Sequence, residues 1–298
     1  MSELIQILSS GLALGFMYAI VSLGFVVIYR GSQVLNFAHG EFLTMGAFLM
    51  VSFNNGGVPW VLAFVLTLLA TGLSAALVER TILRKLVGRP VFITIIMTLF
   101  IGLVMRIGIT LVWGVETRGM PTPWEQTATV DIFGAKILLN SLGAIAAGMI
   151  SLGGFFVLQK FTRVGVAMRA TSLDQEASLA LGIPVGRIFA LTWFLAGVLA
   201  AVGGVFLGMF PNTVDPNLGF VAFRAFPAII MGGLESPGGA LIASLALGLL
   251  EVLTQTYINP LLGNFGHDFH VVFPYLVMIA FMAFRPYGIF GRKEVERA

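Results

Sequence analysis

Long apolar runs dominate the pattern of hydrophobic and polar positions and recur at roughly even intervals along the chain. Most of them approach the roughly 20 residues that a helix needs to cross about 30 Å of hydrocarbon. The pattern predicts an all-α, polytopic transmembrane bundle with about eight or nine crossings. The candidate spans are Leu4–Ile28, Val34–Phe53, Val58–Val78, Val91–Trp113, Ile137–Leu158, Ile188–Phe210, Phe220–Leu234, Gly238–Tyr257 and Val271–Phe284, of which the second and seventh are the weakest.

Composition supports a membrane protein and excludes several kinds of chemistry. Hydrophobic residues make up 58% of the 298 positions and charged residues only 10%, against roughly 25% charged in soluble domains. The chain contains no cysteine, which excludes disulfides and thiolate catalysis. It also lacks the G-x-x-x-x-G-K-[ST] loop that holds ATP phosphates, so any nucleotide must be hydrolysed on another subunit. We expect no catalytic residue, no metal and no cofactor on this chain.

Basic residues indicate the orientation of the spans. They are concentrated in segments 80–89, 160–187 and 292–297, which we expect to be cytoplasmic. Segments 54–57, 211–219 and 258–270 contain no Lys or Arg and should face outward. This arrangement requires the last three spans to cross and places the C-terminus in the cytoplasm. Whether Val34–Phe53 crosses or re-enters stays open, although Arg30 favours an external N-terminus.

Ionisable residues inside apolar runs are costly unless they are paired or face water. Arg106, Arg224, Glu251 and Glu41 occupy such positions. In the predicted topology, Arg224 and Glu251 fall in the outer halves of neighbouring spans, which predicts an ion pair. That pair could hold helices together or contribute to the outer gate of a translocation path.

Three polar residues, Asn36, His39 and Glu41, interrupt the second apolar run near its cytoplasmic end. On a regular helix Glu41 would lie about 100° away from the face that Asn36 and His39 share with Gly40. A helix break permitted by Gly31 or Gly40 could bring the three together and present them to a solute. Alternatively, neighbouring helices satisfy them. The candidate substrate-path residues are therefore Asn36, His39, Glu41, Arg106, Arg224 and Glu251.

The segment 165–187 is too polar to span a membrane and is predicted to form a short amphipathic helix on the cytoplasmic side. Its apolar stripe is mostly alanine, which suits docking into a protein groove better than insertion into lipid. The predicted docking residues are Ala170, Leu173, Asp174, Ala177, Ala180 and Leu181.

Glycines at four-residue spacing indicate close helix packing. Gly11 and Gly15 form one such pair, and Gly204 and Gly208 form another. Small residues at this spacing allow two helix backbones to approach closely in lipid.

Three ordered motifs carry a family resemblance over essentially the whole chain. They are V-L-N-F-A-H-G-E-F-L-T-M-G-A-F (Val34–Phe48), R-V-G-V-A-M-R-A-T-S-L-D-Q-E-A-S-L-A-L-G-I (Arg163–Ile183) and F-R-A-F-P-A-I-I-M-G-G-L-E-S-P-G-G-A (Phe223–Ala240). Together they resemble the LivH-type permeases of branched-chain amino acid ABC transporters. The chain departs from the family pattern at Glu235, where glycine is usual, and at Pro227.

The resemblance implies a single permease domain, residues 1–298, in the inner membrane of a bacterial cell. Its implied partners are a second related permease subunit, two cytoplasmic ABC ATPases, and a periplasmic or extracellular substrate-binding protein, with no nucleic acid. Segment 165–187 would contain the coupling helix that docks into an ATPase. Branched-chain or other hydrophobic amino acids are the first substrate expectation, and urea, short amides or organic acids are the second. A gradient-driven transporter that uses Glu41, His39 or Glu251 is the alternative from another class.

Overall fold

The apolar runs fold into helices in the computed structural model, which describes residues 2–32, 34–86, 89–132, 134–209 and 213–290. The predicted cytoplasmic residues Arg292, Lys293 and Arg297 lie outside these ranges. The α-helices are α1 (Ser2–Ser32), α2 (His39–Asn55), α3 (Trp60–Thr81), α4 (Val91–Trp113), α5 (Leu139–Phe161), α6 (Arg163–Leu173), α7 (Gln175–Ala180), α8 (Val185–Gly208), α9 (Val221–Arg224), α10 (Phe226–Gly232), α11 (Pro237–Leu253) and α12 (Phe269–Phe284).

Six helical segments within the described ranges are long and apolar enough to cross a membrane. The shorter apolar segments Leu218–Gly232 and Phe269–Phe284, together with α2, account for the other three predicted spans. A helical membrane bundle is therefore confirmed, whereas the total of eight or nine crossings stays a prediction. The six long segments are Ser2–Ser32, Trp60–Leu86, Val91–Trp113, Leu139–Phe161, Val185–Gly208 and Pro237–Gly263.

Helix α1 lies at the centre of the bundle and is buried over most of its 31 residues, packed against α5, α8 and α11. The predicted glycines Gly11, Gly15 and Gly204 lie at close helix contacts. Gly11 and Gly15 face Leu249 and Leu245 of α11, and Gly204 of α8 lies against the Leu43 carbonyl of α2. Because glycine has no side chain, the helix backbones can approach each other closely at these positions.

The second apolar run is not one continuous helix. Helix α1 continues to Ser32, residues 34–38 are not helical, and α2 begins only at His39. The side-chain Oδ1 of Asn36 accepts the Ala38 N–H at 3.0 Å, a turn that prepares the start of α2. His39, the first residue of α2, packs against Gly24 of α1. Helix α2 therefore begins inside the bundle, about 12 Å back along the α1 axis from the end of α1 at Ser32. The break predicted near Gly31 or Gly40 therefore lies between them.

The seventh run is also interrupted. A 3₁₀ turn at Leu218–Phe220 leads into α9 and then α10, whose first turn contains Pro227. The eighth run continues past α11 into a π-helical turn, Thr254–Ile258, and a 3₁₀ segment, Asn259–Gly266.

Four short strands were not predicted. Strands β2 (Thr129–Ile132) and β3 (Ala135–Leu138) pair antiparallel in the segment between α4 and α5. Strand β1 (Arg118–Gly119) pairs with β4 (Thr213–Val214) and joins that segment to the one after α8. The loops of the predicted outer side are thereby connected to one another.

The prediction of a single amphipathic helix over the polar central segment was wrong. Residue Asp174 adopts an extended conformation and divides the segment into α6 and α7. Its Oδ1 accepts the Ala177 N–H at 2.9 Å, so Asp174 is the N-cap of α7 rather than a residue within a helix. The break changes the direction in which the predicted stripe points on either side of Asp174.

Candidate substrate path and coupling surface

The predicted ion pair between Arg224 and Glu251 is present. Nη1 of Arg224 lies 3.7 Å from Oε1 of the buried Glu251. The other carboxylate oxygen accepts the hydroxyl of Tyr18 at 2.7 Å, a contact that nothing in the sequence indicated. Arg224 is partly exposed, so this network links the interior of α1 to an accessible face of the protein.

A second ion pair joins Glu41 of α2 to Arg106 of α4. Nη2 and Nε of Arg106 lie 2.8 Å and 3.1 Å from Oε1 of Glu41. The guanidinium also stacks over the ring of Phe220, with Cζ 3.9 Å from the ring centroid. This pair was not predicted, because a continuous helix over the second apolar run would have placed Glu41 near the cytoplasmic end of that run, away from the depth of Arg106.

Four phenylalanines, Phe37, Phe220, Phe223 and Phe226, lie beside the Glu41–Arg106 pair, and we call them the aromatic stripe. Their rings form a chain: Phe220 to Phe223 at 6.2 Å, Phe223 to Phe226 at 5.7 Å, and Phe226 stacked on Phe37 at 5.8 Å. All four rings are at least partly exposed. Arg106 covers one end of the stripe, and Arg224 follows Phe223 directly in sequence.

The location of the stripe limits what can cover it. Arg106 lies seven residues before the end of α4, about 10 Å along its axis, and its side chain is partly exposed. A guanidinium exposed to hydrocarbon costs several kcal/mol, so such groups face water or protein. We therefore expect the stripe and its two arginines to face a polar cavity or a partner subunit rather than lipid.

The other two path candidates lie in the interior. His39 is fully buried beside Gly24 and 4.6 Å from the Phe25 ring, and neither of its ring nitrogens has a hydrogen-bond partner among the described residues. Asn36 is also fully buried, and its Nδ2 has no hydrogen-bond partner among the described residues. The helix break thus does not gather Asn36, His39 and Glu41 into one cluster. Contact of Asn36 or His39 with a transported solute stays a prediction.

The predicted docking residues lie on an accessible surface. Leu173, Asp174, Ala177, Ala180 and Leu181 are exposed, and Ala170 is half-buried. The opposite sides of α6 and α7 contact the bundle through Met168, Thr171 and Ser178. Leu179, also exposed, extends the apolar surface and was missed because it falls outside the predicted stripe.

His267, Asp268 and His270 lie close together in sequence before α12 and at its start. Within the described ranges no group of three or more His, Cys, Asp or Glu residues could hold a metal ion. Instead, Nδ1 of His270 lies 2.8 Å from Nδ2 of Asn259, which joins α12 to the preceding 3₁₀ segment.

Comparison with known proteins identifies relatives over nearly the whole chain. The family described as "Branched-chain amino acid transport system / permease component" matches residues 7–282. The high-affinity branched-chain amino acid transport system permease protein LivH of Escherichia coli K12 is 27% identical, covering 98% of this chain and 97% of its own length. The corresponding protein BraD of Pseudomonas aeruginosa is 28% identical with the same coverage. The ribose import permease protein RbsC of Escherichia coli K12 is 29% identical over 52% of this chain and 50% of its own length. No solved structure matches.

Proposed function

The chain belongs to the branched-chain amino acid transport permease family, and on that premise we propose that it forms one side of the substrate path of an ATP-driven amino acid importer. The observation that carries the proposal is the aromatic stripe with a partly exposed, ion-paired arginine at Arg106 and another at Arg224. Charged groups with this placement need a polar surrounding within the membrane, which a translocation path provides.

The chemistry of this face suits a hydrophobic amino acid. Aromatic rings provide apolar contact for the side chain, and a guanidinium binds a carboxylate through two parallel hydrogen bonds. Oε2 of Glu41 is buried without a hydrogen-bond partner among the described residues, and it is the acceptor that an ammonium group would use when α4 moves. We therefore propose branched-chain or similar hydrophobic amino acids as the transported class.

The importer would contain further subunits. We propose a second related permease that faces the stripe, two cytoplasmic ATPases and an external substrate-binding protein. The exposed apolar residues of α6 and α7 would dock into an ATPase, so we propose that this surface is cytoplasmic. In the same topology the C-terminus is cytoplasmic and the N-terminus is outside. ATP binding and hydrolysis would then move the bundle between inward-open and outward-open states. No cofactor is required on this chain.

The docking surface is tested by Leu173→Glu, which places a charge on a leucine that is 77% exposed. We expect ATPase binding to weaken about thirtyfold or more, because a charge at the centre of an apolar interface must be desolvated. ATP-dependent uptake by the reconstituted complex should fall with it. Copurification of the ATPases and uptake of labelled leucine measure the two effects.

The matched control is Leu261→Glu, since Leu261 is 84% exposed but lies on the predicted outer side. This variant should retain the ATPases at the unmodified level. Full ATPase retention by Leu173→Glu would contradict the docking role. Uptake driven by an ion gradient without ATP would contradict the importer itself.

A further inference from the structure

A third buried acidic group lies at the end of α3, outside the proposed path. Glu79 is almost fully buried, and both of its carboxylate oxygens are bound by Arg84 of the 3₁₀ turn Leu83–Leu86. Nε of Arg84 donates to Oε1 at 3.1 Å, and Nη2 donates to Oε2 at 2.7 Å. Such a bidentate, charge-assisted contact holds the guanidinium in one orientation.

The same guanidinium reaches the start of α8. Nη2 of Arg84 also donates to the Gly186 carbonyl at 2.5 Å, a contact between residues 102 positions apart in sequence. A Cβ built on Gly186 would lie 3.5 Å from Cζ of Arg84, so the glycine backbone lies directly against the guanidinium. We call Glu79, Arg84 and the Gly186 carbonyl the Arg84 clamp.

The clamp lies where the docking surface joins the bundle. Gly186 is the second residue of α8, which begins four residues after Leu181 at the end of the docking surface. A cavity of about 120 Å³ lies between Gln175 of α7 and residues such as Glu79 and Trp193, and α7 also contacts α8 directly. Movement of α7 can therefore reach the bundle through the start of α8.

Helices α3 and α8 also pack closely against each other along from the clamp, around Gly72 and Gly197. A Cβ at Gly72 of α3 would lie 2.8 Å from the ring of Phe194 in α8. A Cβ at Gly197 of α8 would lie 2.8 Å from the Thr71 carbonyl of α3. Only glycine fits at these two positions, so the helices are in direct contact there, and the Arg84 clamp is a separate contact between their ends.

We propose that Arg84 is a positioning residue that transmits movement of the α6–α7 docking surface to the α3–α8 pair. The inference rests on the proposed ATP-driven function. The buried Glu79 carboxylate requires a cationic partner, so Arg84 stays fixed to α3 and draws α3 along when Gly186 moves. Loss of the Gly186 contact should therefore uncouple ATP hydrolysis from transport without releasing the ATPases.

The test compares substrate molecules imported per ATP hydrolysed in the fully assembled, reconstituted complex. Arg84→Lys keeps a positive charge for Glu79 but lacks the planar fork that reaches the Gly186 carbonyl at the same time. The double substitution Glu79→Gln with Arg84→Gln removes the buried charge together with its partner and keeps the chain foldable. In both variants we expect ATPase retention as in the unmodified complex and an import-to-hydrolysis ratio lowered about fivefold or more.

The control variant is Arg80→Gln, which removes an exposed positive charge at the end of α3 and should leave the ratio unchanged. An unchanged ratio in both Arg84 variants would overturn the proposal, as would ATPase release by Arg84→Lys, which would make Arg84 a docking residue instead. Absence of ATP-dependent uptake in the unmodified complex would contradict the proposed function rather than the role of Arg84.

Discussion

Replacement of Gly248 by leucine is expected to prevent the protein from folding into a stable bundle. Any side chain at Gly248 of α11 overlaps with the backbone of Gly15 in α1 and would place its Cβ 2.8 Å from the Gly11 carbonyl. Overpacking against flexible side chains costs about 1–3 kcal/mol. Here the obstacle is backbone, so α1 and α11 must separate and the central helix loses its main contact.

The yield of monodisperse protein in detergent and its thermal unfolding midpoint measure this effect. Gly153→Leu in α5 is the matched control, because no atom lies within 4 Å of a Cβ built there. Removal of a glycine from a helix interior should leave that variant equally or slightly more stable. Normal folding of Gly248→Leu would show that α1 and α11 do not pack as described.

The second large effect is expected at the Glu41–Arg106 pair. Arg106→Leu leaves the Glu41 carboxylate in the bundle without its cation, and removal of one partner of a buried pair costs about 3–5 kcal/mol. We expect a strongly lowered unfolding temperature and loss of uptake. The double substitution Glu41→Leu with Arg106→Leu removes both charges, and exchange of a buried pair for apolar residues is often neutral in stability.

The double variant separates the structural role from the transport role. It should regain most of its unfolding temperature, yet uptake should remain about tenfold or more below the unmodified complex, because the guanidinium over Phe220 is absent. Unfolding in detergent and uptake of labelled leucine are measured on the same preparations. Recovery of both stability and uptake would mean that the pair only holds α2 and α4 together.

Sequence analysis predicted the Arg224–Glu251 ion pair but missed the Glu41–Arg106 pair, and the reason can be stated. Arg224 and Glu251 fall in the outer halves of neighbouring predicted segments, so their relative depth could be estimated. The depth of Glu41 depended on where its helix begins. Tertiary packing of His39 against Gly24 delays that start and lets Glu41 meet Arg106. Such packing leaves no periodic signal in the sequence.

Hydropathy located the long spans because the bilayer requires both apolar composition and sufficient length. It did not indicate where the helices break. Asp174 fits the hydrophobic periodicity of one helix, but its side chain competes for a backbone N–H and starts a new helix instead. The aromatic stripe was missed because it joins Phe37 to residues almost 200 positions later. Strands of two to four residues contain too few positions to show alternation.

The central claim, that the aromatic stripe lines a path whose accessibility changes with nucleotide, can be tested by thiol labelling because the chain contains no cysteine. Phe220 is 50% exposed on the stripe, and Phe100 is 60% exposed on the face of α4 away from Arg106. In the assembled complex, we expect a charged thiol reagent to label Phe220→Cys at rates that differ about tenfold between nucleotide-free and ATP-bound states. Leucine should slow this labelling, and Phe100→Cys should remain unlabelled. Equal labelling of the two variants, or a Phe220→Cys rate unaffected by nucleotide and leucine, would contradict the account.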